Sequence, residues 1–400
     1  MSDFASAWAE LAAIGRTPAG YFRWAWSQPE LECRSWFTAA AAARGMSVET
    51  DGNGNLWAWL GPAGAGGAVV TGSHFDSVPG GGGFDGPLGI VSAFLALDVL
   101  REQGVTPSRP IGIVAFAEEE GSRFGVACLG SRLLCGELDP ARALALRDRD
   151  GVPLAEAAGL DPAGIGPDPK RLAGIDAFVE LHIEQGRALA DGADGAGAPV
   201  GVASAIWPHG RWRLDFAGEG NHAGTTRMAD RRDPMLTFAY AVLAANKAAR
   251  LRDARATVGR VAVSPNATNA VPASVTAWLD ARAADQSTLD GLVDDVLAKV
   301  ADRAARDGTA MSATVESLSA ETGFDAGLRD RIVELLGGPP VLATGAGHDA
   351  GVLAAHVPTA MLFVRNPTGV SHAPGEHATD EDCAAGVAAL ADVLTDLAGR

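Results

Sequence analysis

Residues Ala68–Gly89 read AVVTGSHFDSVPGGGGFDGPLG. The short apolar run Ala68–Gly72 predicts a buried strand, which delivers Ser73-His74-Phe75-Asp76 at its carboxyl end. In the H-x-D spacing, Asp76 is placed to accept a hydrogen bond from the imidazole N–H of His74 that faces away from a ligand, fixing tautomer and orientation. Asp85 follows within GGGGFDGPLG (Gly80–Gly89), where glycines allow close backbone approach and positive φ. No Gly-Lys-Ser/Thr follows, so this is a poor phosphate loop.

The same grammar repeats along the chain. The apolar run Pro110–Phe116 leads into Ala117-Glu118-Glu119-Glu120, Ala177–Leu181 leads into His182 and Glu184, and Thr359–Val364 leads into a loop carrying His372. A helix predicted over Leu88–Gln103 follows the first of these strands, an alternation that favours an α/β domain. If the strands are parallel, their carboxyl ends open on one crevice, where such sheets bind ligands. His74, Asp85, Glu120, His182 and His372 would meet there. Three histidines and two carboxylates suffice for two metal ions sharing one carboxylate. The mixed N/O set suits zinc, manganese, cobalt or nickel. An acidic triplet directly after a buried strand is unusual, and adjacent carboxylates can divide the work, one holding metal and its neighbour acting as general base.

Around Ile206 the pattern changes. Strands at Trp212–Phe216, Thr257–Val263, Ser274–Arg282 and Met311–Leu318 are interleaved with helices at Asp233–Arg250 and Thr288–Arg306, in the order βαββαβ. Residues 208–319 therefore form an inserted α+β domain within a discontinuous first domain, 1–207 and 320–400. The insert carries GNHAGTT (Gly220–Thr226), PNATNAV (Pro265–Val271) and Asp280-Ala-Arg282. His222 there is suited to stabilise an oxyanion. Asn269 and Arg282 are suited to grip a carboxylate. The Gly-rich segment Asp191–Gly201 predicts a surface loop.

Composition narrows the classes. The 400 residues carry 32 Lys+Arg against 49 Asp+Glu, a formal charge of −17, with no basic stripe, which argues against nucleic acid. Cys33, Cys128, Cys135 and Cys383 form no C-x-x-C pair and fit a reducing, cytoplasmic setting. The opening MSDFASAWAELAAIG lacks the features of a signal peptide, and no run of about 18 apolar residues predicts a membrane span.

The blocks GSHFDSVPGGGGFDG, AEEEGSRFG, ELHIEQG, GNHAGTT, PNATNAVP and GAGHDA…SHAPGE, running in order from Gly72 to Glu376, resemble the allantoate amidohydrolase / N-carbamoyl-L-amino-acid amidohydrolase (hydantoinase/carbamoylase) family of dinuclear metallopeptidase-like amidohydrolases. The resemblance implies a metallopeptidase-like catalytic domain with a central mixed sheet and an inserted lid and dimerisation domain. It implies two divalent ions, Mn²⁺ or Zn²⁺ with Co²⁺ or Ni²⁺ as further options. His74, Asp85 and His182 would hold one, and Asp85, Glu120 and His372 the other. It makes Glu119 the general acid/base and His222 a transition-state stabiliser that reaches the neighbouring subunit of a homodimer. Asn269 and Arg282 would bind a carboxylate, and Gln185 with the Gly345–His348 turn, Gly347 and His348 included, would line the pocket. The chain departs from the family pattern at Arg227, at Arg365-Asn366, and in the longer Ile206–Trp212 segment; none removes a ligand. The resemblance implies cleavage of the ureido C–N bond of allantoate, to ureidoglycine, ammonia and carbon dioxide, with N-carbamoyl-L-amino acids, likewise small ureido carboxylates, as the alternative substrates. An N-acyl-amino-acid hydrolase or peptidase, and a catalytically dead binding protein, are the other readings of this scaffold.

Overall fold

The structure is a computed structural model that describes residues 4–62, 64, 66–192 and 197–399. The chain divides into two compact units, Met1–Ser204 with Gly323–Leu342 and Gly347–Arg400, and Ala205–Thr322 with Ala343–Ala346. The boundary differs slightly from 208–319, and a remote tetrapeptide joins the second unit. Two hydrogen bonds explain that: Trp207 donates its N–H to the Thr344 carbonyl, and Arg282 Nη1 donates to the Gly345 carbonyl.

Among its described residues the first unit is built on a nine-stranded sheet. Its centre runs Thr359–Val364, Ile175–Ile183, Ala68–His74, Ile111–Phe116, with all neighbouring pairs parallel. These strands are almost continuously apolar and buried, as strands covered on both faces must be. Leu56–Leu60 and Val200–Ile206 flank them antiparallel, which makes the sheet mixed. The Pro87–Glu102 helix is apolar on nearly every side and lies within the core, while Asp380–Ala398 packs against it.

Two features escaped the sequence reading. Val200–Ile206 is a strand where part of the Gly-rich loop was expected, and Asp191 closes a short helix, Ala188–Asp191; residues 193–196 of that segment lie outside the described residues. Between Phe116 and Ile175 the chain forms short helices, including Leu129–Cys135 and Pro140–Leu144, around a satellite core of Trp26, Phe124, Leu129 and Leu133.

The second unit has four main antiparallel strands in the order Arg255–Ser264, Ser274–Arg282, His209–Ala217, Ala310–Ser319. Helices Pro234–Arg250 and Gln286–Asp307 pack together, and their alanines, leucines and valines share a core with Trp212, Leu214 and Phe216. Pro at the first turn and Asp233 accepting the Met235 N–H start the first helix; Asp285 caps the second through the Thr288 N–H.

Candidate active site

Because the four central strands are parallel, Ser73-His74, Ala117–Glu120, His182–Glu184 and the chain beyond Val364 all emerge at one edge of the sheet. The structure brings His74, Asp85, Glu120, His182 and His372 together there. They form two groups with Asp85 in both: His74–Asp85–His182, and Asp85–Glu120–His372. Asp85 divides its oxygens between them. Oδ1 lies 3.1 Å from His182 Nε2 and 3.6 Å from His74 Nε2, whereas Oδ2 lies 3.3 Å from His372 Nε2. Glu120 Oε2 is 3.5 Å from that same nitrogen.

The imidazoles are oriented by their other nitrogens. His74 Nδ1 is 2.9 Å from the Asp76 carbonyl oxygen and His182 Nδ1 is 2.8 Å from the Ile183 carbonyl oxygen. An N–H on each Nδ1 leaves both Nε2 lone pairs facing Asp85. Gly86, at φ +84°, makes this packing possible: a Cβ there would stand 2.5 Å from His74 Cε1.

Asp76 acts differently from the sequence expectation. Its main-chain carbonyl, not its carboxylate, faces His74 Nδ1; the carboxylate Oδ1 is 3.6 Å away. The carboxylate instead accepts the N–H groups of Glu119 at 3.1 Å and Glu120 at 3.0 Å. The turn after His74 folds back, so that two residues bring the carbonyl rather than the side chain within reach.

The three glutamates diverge. Glu118 adopts φ +55°, and its carboxylate accepts the N–H groups of Arg123 and Phe124. Glu119 turns into the site, with Oε2 3.8 Å from His74 Nε2 and Oε1 accepting the Cys128 thiol at 3.3 Å. Cys128 and His372 also hold left-handed backbone, an unusual clustering for non-glycine residues.

Electrostatics mark the cluster as short of positive charge. Burial, then the neighbouring Asp349 and Glu120 carboxylates, push Glu119 well above the usual carboxylate range against the pull of His74. Burial and Asp85 push Glu120 up to about 7. Burial opposes charging His74, yet Glu119, Asp85 and Asp76 raise its pKa well above the ordinary value. The hydrogen bond to Asp85 raises His372 to about 9. His74 Nε2 is buried with no hydrogen-bond partner among the described residues. Lone pairs aimed at a shared carboxylate, an orphaned ring nitrogen and carboxylates that resist ionisation together fit divalent cations.

Gln185 Nε2 donates to Asp85 Oδ2 at 2.8 Å and to Ser371 Oγ at 3.2 Å, and its buried Oε1 has no partner among the described residues. His348 is buried, its ring centroid 4.5 Å from that of His182, and burial followed by His182 holds its pKa well down. With Glu180 and His182 it forms a further possible donor group. The Glu180 oxygens, however, already accept Ser73 Oγ–H and the Ala350 N–H. Gly347 has open space where a Cβ would be.

His222, Asn269 and Arg282 belong to the second unit. His222 is exposed; its Nδ1 accepts the Gly224 and Thr225 N–H groups, so Nε2 carries the outward N–H. Asn269 is exposed, and its carbonyl accepts the Ala223 N–H. Arg282 is forked onto Asp280 through Nε and Nη2. Of the departures, Arg227 is 82% exposed and paired with Asp230, whereas Arg365 forks onto the buried Asp382.

Sequence reasoning passed over several participants. Glu376 accepts the Phe84 and Asp85 N–H groups, Glu180 and Asp349 are buried beneath the histidines, and Cys128 touches Glu119. Glu376 had a signal, its place four residues after His372 in SHAPGE; Cys128 had none.

The sequence pattern of Peptidase family M20/M25/M40 matches residues 70–396. The chain belongs to this family. An N-carbamoyl-L-amino acid amidohydrolase of Geobacillus stearothermophilus is 36% identical over 97% of this chain and 96% of its own. An allantoate amidohydrolase of Escherichia coli is 35% identical with the same coverage. A crystal structure of an amidase of the hydantoinase/carbamoylase family from Burkholderia vietnamiensis superposes with a TM-score of 0.87 at 31% identity, covering 99% of this chain and 97% of that one. This M20 chain is a hydrolase acting on amide or ureido bonds, and its His/Asp/Glu groups are candidate divalent-metal sites. Among the described residues no helix is long and apolar enough to cross a membrane.

Proposed function

We propose that the enzyme cleaves the terminal ureido C–N bond of allantoate, giving ammonia, carbon dioxide and ureidoglycine. The observation that carries the reading is Asp85, with one oxygen turned to His74 and His182 and the other to His372. Two divalent ions, manganese or zinc, would be held by His74, Asp85 and His182 and by Asp85, Glu120 and His372. When bound they would polarise the ureido carbonyl and make water a better nucleophile.

The chain's own groups supply the proton traffic. Glu119 takes a proton from the attacking water as its oxygen bonds to the ureido carbon. It returns that proton to the nitrogen that leaves as ammonia, and the remaining carbamate loses carbon dioxide. A carboxyl held above its usual pKa suits both halves of this exchange. Arg282 and Asn269 would bind the substrate carboxylate, and Gln185, whose Oε1 has no partner among the described residues, would accept from the ureido N–H groups. The outward Nε2–H of His222 suits a donor to the oxyanion of a neighbouring subunit in a homodimer formed through the second unit. Four unpaired thiols support a cytoplasmic setting.

N-carbamoyl-L-amino acids are the second reading, favoured by the 36% identity to the Geobacillus enzyme. The test is ammonia release from allantoate by manganese-reconstituted protein, run beside a panel of N-carbamoyl-L-amino acids. Activity on allantoate well above the panel supports the first reading. Activity confined to the panel supports the second, and silence on both overturns the ureido assignment.

A further inference from the structure

Asp85 is common to both donor groups, yet it sits in a glycine-rich loop rather than in a strand or helix. What holds its backbone is Glu376. This side chain is 6% exposed, and its Oε1 accepts two main-chain N–H groups, from Phe84 at 2.9 Å and Asp85 at 3.0 Å. Its Oε2 is buried with no partner among the described residues, so Oε1 carries the contact. The loop is shaped around that oxygen: a Cβ on Gly82 would come within 2.2 Å of it. Glu376 is in turn fixed by a turn, its own N–H donating to the Ala373 carbonyl at 3.1 Å, immediately after His372. One short segment thus touches Asp85 twice: His372 Nε2 approaches the carboxylate at 3.3 Å, and Glu376 holds the backbone behind it.

The geometry points to Glu376 as a positioning residue that locks the Asp85 loop to the His372 loop, so that Asp85 presents an oxygen to each donor group at once. Its functional consequence rests on the two-ion reading above. Losing the lock leaves all five donors in place but lets the shared one wander. Groups that orient metal ligands from behind typically contribute about 10–100-fold in affinity.

The test uses the full chain carrying Glu376→Met, which keeps bulk and loses the acceptors, Glu376→Gln, which keeps an acceptor oxygen, and Gly82→Ala, which displaces the carboxylate without altering it. Hydrogen exchange of the Phe84 and Asp85 amides is followed in chelator-treated protein, with the Ile175–Ile183 strand as internal reference. Mn²⁺ binding is then titrated by calorimetry. Glu376→Met and Gly82→Ala are expected to speed exchange at the two amides at least tenfold, with the strand unchanged, and to weaken Mn²⁺ binding about 10–100-fold; Glu376→Gln should stay within about threefold of the parent on both. Unchanged exchange in Glu376→Met and Gly82→Ala overturns the lock. Fast exchange with undiminished Mn²⁺ affinity overturns the positioning role. A parent protein that takes up no Mn²⁺ overturns the two-ion reading, and the exchange result still decides whether Glu376 holds the loop. Gly82→Ala keeps the decision open to experiment if Glu376→Met fails to fold.

Discussion

Replacing Asp76 by Asn separates two accounts of this residue. The Asp76 carboxylate accepts one N–H from Glu119 and one from Glu120, each on its own oxygen. Asn offers one oxygen and one NH₂, so one of the two amides must face a donor. A hydrogen bond to a charged acceptor contributes about 1.5–3 kcal/mol, so one lost bond costs about 2 kcal/mol. A domain of ordinary stability, about 5–15 kcal/mol, survives that loss. If the cost falls on holding the Glu119–Glu120 turn, the reactive arrangement becomes about 30-fold less populated, at 1.4 kcal/mol per factor of ten. No group assigned to the substrate carboxylate is touched, so KM should stay within about twofold while kcat falls. Urea unfolding gives the stability change, and steady-state ammonia release gives the kinetic split. The reasoning is refuted if kcat is unchanged in a variant that has lost about 2 kcal/mol. It is equally refuted if the loss lies only in KM. If Asp76 served the His74 ring through its side chain, the main effect would be weaker binding of one metal ion, with the second ion and its Glu120 ligand unaffected.

Four further outcomes are expected. Glu119→Gln should keep its Mn²⁺ by elemental analysis and lose about 10²–10⁴-fold in kcat; near-parental turnover would remove the assigned base. Cys128→Ala should lose the thiol's contact to Glu119 Oε1, about 1 kcal/mol or about fivefold in kcat, with Cys128→Ser restoring it; equal activity in both variants would show the contact to be idle. Arg365→Met should cost about 3 kcal/mol in urea unfolding, because among the described residues Asp382 is left buried with only Thr379 Oγ1 as side-chain partner, while Mn²⁺ content is unchanged; a cost below about 1 kcal/mol would contradict the pairing. Metal-free protein should lose thermal stability as pH rises. Burial lifts Glu118 to about 8 and Glu120 and Glu376 to about 7, and the hydrogen bond to Asp85 lifts His372 to about 9. A pKa raised on folding gives stability present below the unfolded value and lost as pH climbs through the folded one, here from about 4.3 for the carboxyls to the upper values just given. Scanning calorimetry with chelator should show the melting temperature falling across that range, and a rise would refute it.

The parts of the fold legible in the sequence were those in which one residue type does one job. Continuous apolar runs such as Ile111–Phe116 mark strands buried on both faces, and a ligand-type residue directly after each run marks the functional edge. His74, Asp85, Glu120, His182 and His372, which the structure brings into two candidate donor groups, stood out this way because neither a strand end nor a glycine loop otherwise needs them. What was illegible depends on the path of the chain in space. Whether His74 meets the carbonyl or the carboxylate of Asp76 is decided by the turn over Phe75, and no spacing encodes it. Cys128 reaches Glu119 because Glu119 accepts its N–H through the main chain and Cys128 takes φ +54°, which its side chain does not demand. The short Val200–Ile206 strand begins in Val-Gly-Val-Ala after a glycine-rich stretch, so turn chemistry masked its register against Thr359–Val364.

The charges around the site explain why stability and chemistry meet on the same residues. Asp76, Asp85, Glu119, Glu180, Asp349 and Glu376 are all buried, and among the described residues none of them has an arginine or lysine salt bridge. Their partners are main-chain N–H groups, hydroxyls, a thiol, an amide and imidazoles. The donors other than the imidazoles are neutral and orient a carboxylate without cancelling its charge, and burial raises the pKa of Asp76, Glu119, Glu180, Asp349 and Glu376 against the pull of the nearby histidines. Guanidinium groups would have cancelled the charge permanently and blocked the oxygens. The arrangement instead keeps the carboxylates positioned and electrostatically unsatisfied, which is the condition under which divalent cations gain most by entering. Asp85 is the exception: the imidazoles of His182, His372 and His74 around it outweigh its burial and hold its pKa well below the ordinary value.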